Sequence, residues 1–150
     1  MDLPAARSAE QRKRDVLDRL ERDVDLWVGT AADGGEPYLV PLSFLWTGTE
    51  IILSTEVASP TGRNLLQGGR VRLGVGLTRD VVLIEGVLHA AERVSEVAYG
   101  DAFAEKAGFD PRKSGDAYRY FVIRPERIQA WREVNELSGR DLMRKGEWLV

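Results

Sequence analysis

There is no cysteine in these 150 residues, and His89 is the only histidine. The first absence removes disulfides, thiolate metal ligands and thiol nucleophiles. The second leaves too few nitrogen ligands for an ordinary zinc site, which would need carboxylates in unusual number. No Ser-His-Asp spacing is visible, and no glycine pattern suits a Walker loop or a dinucleotide fold. Gly74-Val75-Gly76 sits inside an expected strand with no helix after it, so it is not a phosphate loop. No apolar run reaches the roughly twenty residues that a membrane helix needs. Residues 1–11 lack the apolar core of a secretion signal. The expectation is a cytoplasmic protein with no membrane partner. A net charge of −3 gives no general attraction to nucleic acid. Because side chains that do hard chemistry unaided are scarce, an enzyme made from this chain would rely on a bound cofactor.

What is present is an ordinary globular balance, 43% hydrophobic and 30% charged, enough for one domain spanning 1–150 with a real core. No internal repeat or linker divides it. Residues 1–6 read as a loose arm and 7–23 as a helix with a narrow apolar stripe, Val16, Leu17, Leu20 and Val24. Such a helix covers a sheet, and its arginines form a solvated face. Strands are expected at 25–32, 37–46, 50–55, 71–77, 81–94 and 118–132, the last broken at Pro125, with a helix after Pro60 ending near Gln67-Gly68-Gly69 on a glycine C-cap and a further helix over 95–108. Short turns between consecutive antiparallel strands suggest a small closed barrel. Gly86 marks a bulge or a close approach. His89, inside a strand, reads as structural. The tail after Glu133 carries Leu142, Met143, Trp148 and Leu149, which should dock on its own domain or on a second subunit.

Two stretches carry more. The run 37–46 is almost continuously apolar, which suggests a strand buried on both faces. Pro41 interrupts its ladder, leaving backbone groups near Val40, Leu42 or Ser43 free on one side. A flat apolar wall with a few free polar groups suits an aromatic ring with polar edges; the plainer alternative is a bulge beside a satisfied hydroxyl. The second stretch is Ser54 to Leu66. Ser59 is placed as a helix N-cap and Pro60 at the first helical position. The free N–H groups of a helix start attract anions. Ser59, Thr61 and Arg63 crowd into that turn and would suit a phosphate. On this window alone, a capped helix with a solvated arginine is the commoner arrangement.

The order Leu26-Trp27-Val28-Gly29-Thr30, Gly35-Glu36-Pro37, Val40-Pro41-Leu42-Ser43-Phe44, Thr55, Ser59-Pro60-Thr61-Gly62-Arg63-Asn64-Leu65, Val71-Arg72-Leu73 and Val82-Leu83-Ile84-Glu85-Gly86 resembles the pyridoxamine phosphate oxidase-like flavoproteins. The resemblance covers residues 10 to 132. It implies a mainly β chain with α-helices, folded as an FMN-binding split barrel, antiparallel, six- or seven-stranded and flanked by helices. It implies that Val40, Pro41, Leu42 and Ser43 lie along the isoalloxazine ring. Ser54 and Thr55 would contact the ribityl and phosphate region, and Ser59, Thr61, Arg63 and Asn64 the phosphate. It also implies a homodimer with the cofactor at the subunit interface, reached by Trp131 and Arg132 of the second subunit. The implied activity is FMN-dependent hydride transfer to or from a small molecule. F420 is the alternative cofactor, with Arg70, Arg72 and Arg79 as candidates for its tail; a non-catalytic flavin- or haem-binding module is a further alternative, with His89 a haem ligand only if it faces a cavity. Two family features are missing: a lysine in the phosphate motif, and an Arg-x-His pair near the C-terminus. Pyridoxamine phosphate is therefore not the expected substrate.

Overall fold

Period-two apolar alternation separated by short polar turns folds here into consecutive antiparallel hairpins. The computed structural model describes residues 2–150, so the arm expected at 1–6 is described from Asp2 onward. In chain order the elements are α1 (Ala9–Arg22), β1 (Asp25–Ala31), β2 (Pro37–Trp46), β3 (Ile51–Glu56), α2 (Pro60–Gly68), β4 (Arg70–Val75), β5 (Val81–Arg93), α3 (Gly100–Ala107), β6 (Tyr118–Trp131), β7 (Asp141–Arg144) and β8 (Glu147–Trp148). Two 3₁₀ segments, Pro111–Ala117 and Val134–Glu136, precede and follow β6. The strand order is β3-β2-β1-β4-β5-β6-β7-β8, and β3 also pairs with β6. That last pairing closes six strands into a barrel, split where β2 and β3 pair only over Phe44–Trp46. The fold is thus an antiparallel six-stranded split barrel flanked by helices, with β7 and β8 as an added hairpin.

Alternate residues fill the interior: Leu26 and Val28 on β1, Val71, Leu73 and Val75 on β4, Val82 and Ile84 on β5. α1 adds Val16 and Leu20 to this core, and the tail adds Leu142 and Met143. The tail therefore docks on its own domain. A second cluster, Phe103, Tyr120, Val94, Ile52 and Val122, lies beneath α3. The longest ladder joins β5 to β6, with a register shift between Glu85 and Gly86 opposite Pro125. A Cβ on Gly86 would lie 2.6 Å from Ile123 Cγ2 and 3.1 Å from the Arg124 carbonyl, so no side chain fits there. β6 runs unbroken through Pro125 instead of splitting, because the bulge accommodates the missing N–H.

Three expectations fail. β2 is not buried on both faces: Pro37 to Leu39 are exposed, Leu39 to 65%. The helix over 95–108 shrinks to Gly100–Ala107, since the chain first turns at 94–99. The arginines of α1 are not all solvated. Arg12 is 5% exposed and donates to the carbonyls of Ala130, Glu136 and Gly139, tying α1 to the end of β6 and the segment after it.

Candidate functional site

The opening of the barrel follows from hydrogen-bond parity. Phe44 N–H donates to the Val24 carbonyl, and β1 and β2 keep that register up to Ala31 and Pro37. In an antiparallel pair only alternate residues bond across, so Leu42 and Val40 face β1 while Ser43, Pro41 and Leu39 turn their backbone groups to the other edge. β3 pairs with β2 only from Phe44 to Trp46. The outer edge of β2 from Leu39 to Ser43 is therefore unpaired. Pro41 sits where its missing N–H costs β1 nothing. Val40 and Leu42 are half-buried against the core, and Pro41 is exposed. The wall is thus a backbone edge with one proline, not a sheet of apolar side chains. Ser43 Oγ donates to Asp25 Oδ1 at 2.7 Å.

The far side of this split is the turn from β3 into α2. Ser59 caps α2: its Oγ accepts from Gly62 N–H at 3.0 Å and donates to the Glu56 carbonyl at 2.7 Å. Thr55 Oγ1 lies 3.3 Å from Ser59 Oγ. Gly62 is required by the tightness of the turn, because a Cβ would fall 2.5 Å from the Glu56 carbonyl oxygen. Arg63 is exposed, and its guanidinium rests on the Ala58 carbonyl. Thr61 is 1% exposed, and its hydroxyl has no hydrogen-bond partner. A buried hydroxyl left unpaired costs about 1–3 kcal/mol, so this turn carries unspent hydrogen-bonding capacity. The features that fit a phosphate-bearing cofactor are the start of α2 itself and the solvent-facing Arg63 guanidinium, with the orphaned Thr61 hydroxyl buried beneath; the Ser59 hydroxyl is spent on the cap.

Of the residues expected at the phosphate, Thr55 and Ser59 are in contact, while Thr61 and Arg63 share their turn, Thr61 facing inward and Arg63 facing solvent. Ser54 and Asn64 do not join them. Ser54 faces inward, buried, and donates to the Arg119 carbonyl at 2.9 Å; strand alternation sends it opposite to Thr55. Asn64 is buried on the inner face of α2 and donates to Thr30 Oγ1 at 3.1 Å. Trp131 and Arg132 lie across the barrel at the end of β6. The Arg140 guanidinium stacks 5.7 Å from the centre of the Trp131 ring. Arg132 pairs with Asp80 at 3.2 Å, and its backbone N–H donates to Glu136. His89 is exposed and contacts the Arg124 guanidinium at 2.9 Å, so it does not meet the condition set for a haem ligand.

Sequence reasoning missed two features. One is the anchor of the Trp131–Arg132 corner. Glu136 is 3% exposed and accepts from Arg7 N–H, Nε and Nη2 and from Arg132 N–H, all within 3.0 Å. Hydrogen bonds from Arg7, opposed by desolvation, hold its carboxyl down at about 2. The other is a groove of about 1080 Å³ on the outer wall, lined from β2 to the β7–β8 turn. None of the twelve residues expected to meet the cofactor lines it. Of the three arginines proposed for an F420 tail, Arg70 and Arg72 line it, while Arg79 pairs with Glu133 elsewhere. The Arg70-x-Arg72 alternation was a legible sign, but nothing local announced the partners that strand pairing brings beside it.

Among the described residues no helix is long and apolar enough to cross a membrane, and no cluster of three or more metal-ligating side chains occurs. Solved structures share the fold at low identity. An F420 reductase superposes with a TM-score of 0.65 at 16% identity, covering 74% of this chain and 93% of its own. An FMN-binding protein from Syntrophomonas wolfei subsp. wolfei gives 0.63 at 20%, covering 81% and 89%. A heme-binding protein from Mycobacterium smegmatis gives 0.60 at 19%, covering 95% of this chain and 60% of that one. No curated protein sequence matches significantly. The family model described as pyridoxamine 5'-phosphate oxidase matches residues 14–132, which takes in every strand of the closed barrel and the α2 turn, and on that match the chain belongs to this family.

Proposed function

We propose that this chain binds FMN and uses it to exchange a hydride with a small molecule. The observation that carries the reading is the split itself: β3 parts from β2 beyond Phe44 and runs into the capped start of α2, so the unpaired β2 edge, Leu39 to Ser43, opens beside a helix start that presents the Arg63 guanidinium to solvent. Thr55, Ser59, Thr61 and Arg63 would hold the phosphate, Arg63 with two parallel N–H donors. The backbone edge at Leu39, Pro41 and Ser43 would meet the polar rim of the ring. FMN, when bound, supplies the two-electron chemistry, and the protein positions and shields it.

The proposal includes a homodimer. On the outer face, Pro41, Trp27, Gly74 and Leu83 share one level of the sheet, as their pairings show. Trp27 is 51% exposed and Leu83 41%. Such a patch, flattened by Gly74, suits a second copy of the chain. Its level adjoins the ends of β5 and β6, so the partner's Trp131 would come near the cofactor edge.

The test is a titration of FMN against the parent and Arg63→Ala, with F420 as comparator because an F420 reductase shares the fold. Loss of one charge-assisted contact predicts about ten- to a hundredfold weaker FMN binding. The apo melting temperature should barely move, since Arg63 is exposed. Absence of FMN binding at micromolar concentration, or equal affinity in the variant, overturns the reading.

A further inference from the structure

Three elements meet where β2 parts from β3. β1 begins there with Asp25, β2 passes through Ser43 and Phe44, and the last turn of α3 brings Lys106. The register decides what these side chains do. Phe44 N–H bonds the Val24 carbonyl, so Ser43 and Asp25, one step on, form a non-hydrogen-bonded pair of the ladder. In such a pair the side chains stand closest, with Cα atoms about 4.5 Å apart. Ser43 Oγ therefore reaches Asp25 Oδ1 and donates to it at 2.7 Å. A serine hydroxyl has a single proton. With that proton given to Asp25, the Ser43 oxygen has only lone pairs left for a ligand.

The charge at this corner is one-sided. Asp25 is exposed, and among the described residues no cation forms a salt bridge with it. Lys106 feels Asp25 without pairing with it, because its ammonium is committed elsewhere. It donates to the Leu20 and Phe44 carbonyls at 3.4 and 3.3 Å and lies 4.1 Å from the centre of the Phe44 ring. Phe44 points into the barrel core, and strand alternation sends the Ser43 side chain to the opposite face. Burial pushes the Lys106 pKa down, opposed by Glu21, Asp23 and Asp25. Asp23 is itself paired with Arg19 at 3.1 Å. Asp is also a poor strand residue, so a lone one bonded to one hydroxyl goes against local preference.

We propose that Asp25 and Ser43 set the substrate class of the site: the molecule that exchanges hydride with the cofactor carries an ammonium or other cationic N–H group, which Ser43 Oγ accepts and the Asp25 carboxylate attracts. This rests on the FMN reading above and deepens it. The pair stands one level from Trp27 and Pro41, at the same split, so it is part of that site and not a second one. Nothing in it needs the face to be free: a second copy seated on the Trp27 row would help enclose it. Asp25 acts through its charge and through the proton it takes from Ser43, which makes it a positioning residue. An anionic group in the same place would face a carboxylate and an oxygen with no proton to give.

The probes are four small molecules with one phenyl ring: benzylammonium, benzyltrimethylammonium, benzyl alcohol and benzoate. Each is titrated at neutral pH into the FMN-loaded chain and followed by the shift of the flavin absorption band. Benzylammonium should bind at least about tenfold tighter than benzoate. Benzyltrimethylammonium, charged but without an N–H, should fall between them. Asp25→Asn keeps the size and removes the charge, so it should weaken benzylammonium about tenfold and leave benzyl alcohol unchanged. Ser43→Ala should abolish the difference between the two ammonium probes. Glu10→Gln, an equal charge change on α1, should alter none of the affinities. The apo melting temperature of Asp25→Asn should stay near the parent's, since Asp25 is exposed. A merely structural Asp25 would weaken all four probes alike, and that result overturns the proposal. So does benzoate binding as tightly as benzylammonium, or a loaded chain that binds none of the four. Failure to load FMN, seen before any probe is added, overturns the FMN reading and this inference with it.

Discussion

Replacing Glu136 by Gln keeps the side chain's shape and removes its charge. In the parent this carboxylate accepts four hydrogen bonds, three from Arg7 and one from the Arg132 N–H, while 3% exposed. Its pKa falls from 4.5 to about 2, with the Arg7 hydrogen bond the largest cause and desolvation opposing it. That depression corresponds to about 3 kcal/mol of stability at neutral pH. The amide turns an N–H₂ toward donors and leaves Arg7 with Asp15 at 2.9 Å and Asp80 at 3.8 Å. Breaking a buried pair from one side costs about 3–5 kcal/mol, and the surviving Asp15 pair sets the expectation at the low end. For a domain of this size about 3 kcal/mol lowers the melting temperature by roughly 6–12 °C. The sign of the pH dependence is fixed by the lowered pKa. The contribution is complete above the unfolded value of 4.5 and is lost as pH falls from there toward 2. Thermal unfolding of parent and variant should therefore differ by a constant gap at and above about pH 6, narrowing to half or less near pH 3. A variant melting within about 2 °C of the parent at neutral pH refutes this reasoning. So does a gap that does not shrink on acidification.

Three other changes probe the remaining links. Thr61→Val replaces an unpaired buried hydroxyl with a methyl; the apo chain should gain up to about 1 kcal/mol by urea denaturation, while FMN affinity falls roughly three- to tenfold by fluorescence titration. Gly62→Ala drives a Cβ to 2.5 Å from the Glu56 carbonyl oxygen, so it should destabilise the apo chain by about 1–3 kcal/mol and weaken FMN as well. Trp27→Asp charges the apolar row at a half-exposed position; sedimentation velocity should show monomer with a melting temperature near that of the monomeric parent, and an unchanged dimer would remove that row from the interface.

The residues that declare themselves locally were legible in the chain. Ser59 and Pro60 announce a helix start, Gly69 its end, and the period-two runs announce β1, β4 and β5, because caps and alternation depend only on near neighbours. Pro41 announced an interrupted ladder for the same reason. What sequence could not give was direction and pairing. Ser54 and Thr55 are adjacent and chemically alike, yet alternation on a strand closed against β6 sends one hydroxyl to the Arg119 carbonyl and the other toward Ser59. Asn64 looked like a phosphate ligand until α2 packed it onto Thr30. Arg7 and Glu136 are 129 residues apart, and Arg70 and Lys145 share a groove only because β5 and β6 lie between their strands. Local chemistry therefore set where helices and strands begin and end. Which side chains meet, and which charges are left without a partner, was decided by closure of the barrel, since that alone brings distant segments within hydrogen-bonding reach.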